Sequence, residues 1–210
     1  MQVEIWSDVV CPFCYIGKRR FEAALAEFPG RDKVTITWRS FQLDPEAEIG
    51  TGLSVNAYLA ERKGISEEQA REMNAYVTEQ AAELGLKFDF DKAVITNTLD
   101  AHRLIHLAKA NGKQDAAEEL FFRSYFTEGL DLSDHETLVS LGIQLGIDEL
   151  QVRDVLNSDQ YADAVDHDQY QAQQLGCRGV PFFVFNNKYG VSGAQAKETF
   201  LEVLAKANEG

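Results

Sequence analysis

Two cysteines separated by two residues, Cys11-Pro12-Phe13-Cys14, are the residues in this chain whose spacing most directly implies chemistry. Pro12 suits the first position of a helix, where a missing N–H costs nothing and φ is already set. Cys11 then falls at the N-cap, facing unpaired backbone N–H groups and the positive end of the helix dipole. Both favour thiolate over thiol, which predicts a nucleophilic Cys11. Cys14 lies one turn further on, on the same helix face and within disulfide reach. The expected cycle is attack by Cys11 on a disulfide, then release when Cys14 resolves the mixed disulfide.

Other uses of the pair are weaker. A zinc site needs a second ligand pair, and Cys177, His102, His106, His135 and His167 are not spaced to supply one, so no metal is expected. A purely structural disulfide would close a very small loop and restrict the unfolded chain little. A CxxC at a strand–helix junction instead carries the thioredoxin-like redox signal.

The elements that must position the pair can be read on either side of it. Val3, Ile5 and Trp6 read as a strand before it, and Phe21, Ala24, Leu25 and Phe28 recur at helical spacing after it. Val34, Ile36 and Trp38 alternate with polar residues as a second strand, giving a βαβ unit with a right-handed parallel crossover. Asp44-Pro45 marks a turn. From about residue 53 to 175 the apolar spacing is helical, with Ser66 and Gln69 resembling a capping box and helical stripes through Leu104, Leu120, Leu138 and Val165. Phe182-Phe183-Val184-Phe185 reads as a central strand, Asn186-Asn187-Lys188 as a hairpin turn, Tyr189 to Ser192 as the return strand, and Ala196 to Ala207 as a closing helix. The expected fold class is α/β, a thioredoxin fold of order βαβ…ββα with a large all-helical insertion. Residues 1–44 and 176–210 form the discontinuous thioredoxin-like domain. Residues 45–175 form the insertion, its last helix (about 159–175) packing on the thioredoxin sheet.

Bulk properties narrow the partners. Among 210 residues the net charge is −14, with no basic stripe to neutralise phosphates, so no nucleic acid is expected. No apolar run approaches the roughly 18–20 residues that cross a bilayer, so no membrane is expected either. The N-terminus carries no basic or apolar leader pattern, and the expected compartment is the cytoplasm. Three cysteines there are not a disulfide framework. Monomer and homodimer are both open.

Val180-Pro181 stands immediately before the late apolar strand, where a proline is tolerated. With it, the stretches Trp6 to Arg19, Asn97 to Leu104 and Gly179 to Val184 resemble the DsbA family of thioredoxin-fold oxidoreductases, and its FrnE-like cytoplasmic branch in particular. The resemblance covers essentially the whole chain. It implies a thiol–disulfide oxidoreductase or isomerase acting on protein or peptide thiols and disulfides. It implies no cofactor beyond the Cys11–Cys14 disulfide, with glutathione as a candidate co-substrate. It implies a cis Val180–Pro181 bond beside the pair, with the Val180 N–H and C=O left to an extended substrate and Pro12 and Phe13 beside it.

Kappa-class glutathione transferases and 2-hydroxychromene-2-carboxylate isomerases share the architecture but carry serine where this chain has Cys11. A glutathione-dependent transferase or isomerase acting on a small molecule is the alternative. In those relatives the counterpart of Asn97–Arg103 lies near the pocket, so Asn97 and His102 are candidate pocket residues. Against that stand a helix-capping Asn97 and a packed His102. Asp8, three residues before Cys11, is a candidate for proton movement or a strand-end turn residue. Cys177 is a third thiol or a small buried residue, and Ser192 to Gln195 either touches a substrate end or caps the last helix, the cap being the expected role.

Overall fold

Four strands form one mixed sheet in the order β2-β1-β3-β4 in the computed structural model, which describes residues 1–209. β1 (Gln2–Ser7) runs parallel to β2 (Thr35–Ser40) and antiparallel to β3 (Phe182–Phe185), and β4 (Tyr189–Ser192) pairs antiparallel with β3. α1 (Pro12–Glu27) makes the crossover between β1 and β2, and α9 (Lys197–Asn208) closes the chain. This is the thioredoxin-like α/β fold the sequence predicts. The hairpin turn is also where expected: Asn186 and Asn187 take positive φ (51° and 53°), the conformation asparagine tolerates.

The chain divides into two compact units, Met1–Leu43 with everything from Asp163 onward, and Asp44–Ala162. In the first unit the period-two pattern sends Val3, Ile5, Trp38, Phe183, Phe185 and Val191 to one face of the sheet. There they meet Phe21 and Ala24 of α1 and Phe200, Leu204 and Ala207 of α9. Phe21 is the centre of this face, with ring centroids 5.6 Å from both Phe183 and Phe200. The other face carries Trp6 and Val184 against Ala172 of α8 (Ala162–Gln174). Trp6 Nε1–H donates to the Asp168 carbonyl at 2.8 Å, and the Asp168 carboxylate accepts from Ser40 N at 3.0 Å and Arg39 Nη1 at 2.9 Å. Arg39 also donates through Nε to Glu4 at 2.8 Å, so three charged side chains from β1, β2 and α8 share one site.

The second unit holds α2 (Val55–Lys63), α3 (Glu67–Glu83), α4 (Leu99–Ala110), α5 (Gln114–Arg123), α6 (His135–Gln144) and α7 (Glu149–Leu156). Ser66 and Gln69 form the expected capping box on α3. Two features depart from the sequence reading. α7 is a separate helix, announced by Asp148, whose carboxylate accepts from Leu150 N and Gln151 N at 3.1 and 3.3 Å. Residues 86–98 are irregular instead of helical. Phe88 stacks on Phe126 at 4.5 Å and Asp89 N–H donates to the Phe126 carbonyl at 2.7 Å, contacts that hold the segment without a helix. Among the described residues no helix is long and apolar enough to cross a membrane.

Candidate active site

β1 ends at Ser7, and the chain makes a turn in which Cys11 N–H donates to the Asp8 carbonyl at 2.9 Å. α1 begins at the next residue, so Cys11 is the N-cap and Pro12 the first helical residue, as the spacing predicts. The burial of Val9, Tyr15, Ile16 and Phe21 fixes this junction, and with it the direction of both sulfurs.

The environment of Cys11 differs from expectation in two respects. Its sulfur makes no hydrogen bond to the first-turn N–H groups; the Cys14 N–H there is taken by the Cys11 carbonyl at 3.0 Å. The thiol instead donates to the Val180 carbonyl at 3.5 Å. A buried S–H needs an acceptor, and the Val180 C=O, expected to be left to a substrate, supplies it. The thiol is also well covered: Cys11 is 4% exposed, whereas Phe13 beside it is 40% exposed and Pro12 is half-buried.

Val180–Pro181 is a cis peptide bond. Pro181 is buried, and its carbonyl accepts from Gly193 N at 2.8 Å, which ties the loop to the end of β4. A residue not singled out in the sequence fixes its distance from α1. A Cβ on Gly17 would stand 3.0 Å from Pro181 Cγ and 3.4 Å from the Phe183 ring. Glycine inside a helix costs about 1 kcal/mol relative to alanine. Here it permits the close approach of α1 to the Pro181 loop. An isolated glycine within a helical pattern was the available signal.

Cys14 is 1% exposed. Burial pushes its thiol well above the ordinary 9.0, and the neighbouring Cys11 pushes it the same way; the Asp8 backbone N–H and the Ser7 hydroxyl act in the opposite sense. The two sulfurs are therefore unlike. One caps the helix against a carbonyl, and the other is held inward as a thiol. All three cysteines, Cys177 included, are free thiols.

The remaining candidates behave as follows. The Asp8 carboxylate is fully buried and accepts from Leu43 N at 2.7 Å, which anchors the chain leaving β2; its own N–H addresses the Cys14 sulfur. Asn97 and His102 belong to the helical unit, not to the unit that carries the cysteines. Asn97 Oδ1 accepts from Leu99 N at 3.0 Å and its amide donates to the Pro45 carbonyl at 2.9 Å, so it serves the start of α4. His102 is packed inside that helix's buried face, 1% exposed. Cys177 is half-buried, with its thiol donating to the Gly179 carbonyl at 3.2 Å and raised by burial. Ser192 to Gln195 does not cap α9: the N-cap is Ala196, with no side-chain bond, because Ala194 O is taken by Arg20 and Gln195 donates back to the Ser192 carbonyl. Among the described residues no group of three or more His, Cys, Asp or Glu side chains is placed to hold a metal ion.

Residues 2–205 match the DSBA-like thioredoxin domain. The chain is 44% identical to a probable DsbA oxidoreductase from Streptomyces coelicolor, whose crystal structure superposes with a TM-score of 0.94 over 100% of this chain and 90% of that one. It is 25% identical to the protein YwbO of Bacillus subtilis over 98% of this chain and 96% of the relative. A cytosolic disulfide reductase, DsbM from Pseudomonas aeruginosa, solved with GSH, shares the fold at a TM-score of 0.70 and 16% identity, over 100% of both chains.

Proposed function

The chain belongs to the DSBA-like thioredoxin domain family, and we propose on that premise that it is a thiol–disulfide oxidoreductase of protein or peptide substrates, working through Cys11 and Cys14. The observation that carries this reading is the asymmetry of the pair. Cys11 sits at the positive end of α1, where negative charge is favoured, while Cys14 is buried and its thiol is pushed up.

Cys11 attacks one sulfur of a substrate disulfide and the other sulfur leaves as a thiolate. Cys14 then attacks Cys11, the Cys11–Cys14 disulfide forms, and the second substrate sulfur is released. Two electrons pass to the substrate, and the two thiol protons end on the released thiols. The Val180 carbonyl, relieved of the Cys11 thiol once that sulfur reacts, becomes an acceptor for a substrate N–H. Pro181, Pro12 and the exposed Phe13 ring form the rest of the contact surface. Because Cys11 is so well covered, the substrate disulfide must reach it along an extended segment pressed against this loop. The compartment we assign is the cytoplasm, consistent with the cytosolic reductase of like fold.

Insulin reduction tests the assignment. Cys11→Ser is expected to fall to the uncatalysed rate, and Cys14→Ser to accumulate a mixed disulfide on Cys11. An active Cys11→Ser protein, together with a Cys14→Ser protein that traps nothing, would overturn it.

Glutathione is a second candidate substrate, favoured by its presence in the DsbM structure. In one form it is the reductant of the Cys11–Cys14 disulfide. In the other the protein is a glutathione-dependent transferase or isomerase of a small molecule. The second form predicts glutathione binding without any oxidation of the dithiol, and the presence of cysteine at position 11 weighs against it.

A further inference from the structure

Gly17 lies one turn beyond Cys14 on α1 and is buried. Alanine is the better helix former at such a position, so what glycine supplies here is room. Three residues distant in sequence use that room: a Cβ on Gly17 would stand 3.0 Å from Pro181 Cγ, 3.4 Å from Phe183 Cζ and 3.5 Å from Ala194 Cβ. One turn further along the helix, Arg20 Nη1 donates to the Ala194 carbonyl at 2.6 Å. Gly193, the neighbour of Ala194, donates its N–H to the Pro181 carbonyl at 2.8 Å. α1 therefore holds the Pro181 loop twice, by close contact at Gly17 and by the tie that runs from Arg20 through Ala194 and Gly193.

Cys11 stands at the head of this helix, and the same loop carries the Val180 carbonyl, 3.5 Å from the Cys11 sulfur. The gap between sulfur and carbonyl is thus set by how closely α1 and the loop approach. We propose that Gly17, assisted by Arg20, is a positioning residue that fixes this gap and so makes the site selective for disulfides carried on a peptide backbone. This rests on the oxidoreductase reading above. A peptide disulfide must meet two conditions at once, with an N–H on the Val180 carbonyl and a sulfur in line with Cys11. A small disulfide without backbone amides must meet only the second. Pro181 cannot yield alone to a methyl group on residue 17. It is buried, its carbonyl is held by Gly193, and Phe182 follows it directly into β3, paired with Trp6 and Ser192. The loop gives as a unit, and the Val180 carbonyl moves with it while Cys11 stays on α1.

The test compares two probes that share a leaving group. One is the symmetric disulfide of thionitrobenzoate. The other is a short unstructured peptide whose single cysteine is disulfide-bonded to thionitrobenzoate. The full chain carries Cys14→Ser and Cys177→Ser, so each probe reacts once. The Cys11 thiolate forms a bond to the probe sulfur, the probe disulfide breaks and coloured thionitrobenzoate leaves; mass spectrometry confirms the adduct on Cys11. Adding Gly17→Ala is expected to slow capture of the peptide about tenfold, the order of loss that misplaced reacting groups bring, and to leave capture of the small disulfide at the parent rate. Arg20→Met, which removes the tie to Ala194, shifts the same ratio in the same direction by less.

Parent rates on both probes in Gly17→Ala overturn the inference. So does an equal loss on both, which marks Gly17 as a structural residue only. If Gly17→Ala does not fold, as read from its urea midpoint, Arg20→Met decides by the same ratio. Release of thionitrobenzoate from both probes at the same rate when Cys11→Ser is also present removes the oxidoreductase reading itself, and the role of Gly17 falls with it.

Discussion

The two faces of the sheet are held by different forces. One is a closed apolar layer in which Phe21 touches Phe183, Phe185 and Phe200, and it fixes α1 and therefore the cysteines at its start. The other pairs a small apolar patch, Trp6, Val184 and Ala172, with the charges of Glu4, Arg39 and Asp168. Apolar burial is additive and non-directional, so it suits the face that must hold a long helix rigid. Charges and directed hydrogen bonds are worth less in net stability but specify one position, so they suit the face where a single carboxylate must meet Ser40 N–H and Arg39 together. The Arg39 guanidinium is held above its ordinary value because, although burial acts against the charge, Glu4 and Asp168 together outweigh it.

This contrast is breakable. The largest effect is expected for Phe21→Ala, which empties the centre of the apolar face and lowers stability by about 3–5 kcal/mol in denaturant unfolding. Next is Asp168→Ala. It strands the Ser40 N–H but leaves Arg39 with Glu4 and with solvent, so the expected loss is about 2 kcal/mol. If Asp168→Ala costs more than Phe21→Ala, the ranking of the two faces is wrong.

A third test uses pH. The folded Cys14 thiol is raised above its unfolded value, so the folded state keeps that proton more tightly. Its contribution is fully present below pH 9.0 and is lost as pH rises above it, by up to about 1.4 kcal/mol per pH unit for the reduced protein. Cys14→Ser removes that alkaline slope, as read from urea midpoints across the range. The smallest effect is at the rim: Lys197→Ala breaks an exposed pair with Glu27 between α9 and α1 and leaves the denaturation midpoint where it is.

Local signals carried most of the fold. Pro12 after Cys11 set the helix start, Ser66 with Gln69 set another, and Asn186-Asn187 set the hairpin, because each states its conformation within a few residues. What was not legible came from contacts distant in sequence. The irregular run at 86–98 is held by Phe126, some forty residues away, and nothing local announces it. The site shows the same division. The cysteines and Pro181 were readable from spacing and from a resemblance. The Val180 carbonyl as partner of the Cys11 thiol and the close pass of Gly17 to Pro181 depend on how strand ends, helix and loop meet in space.

The most direct test of the account is a redox titration of the protein in glutathione buffers, with the disulfide pairing mapped at each step. The account predicts one two-electron transition in which Cys11 and Cys14 pair with each other and Cys177 stays free. A transition that pairs Cys177 with either, or glutathione adducts that never give way to a Cys11–Cys14 bond, would contradict it.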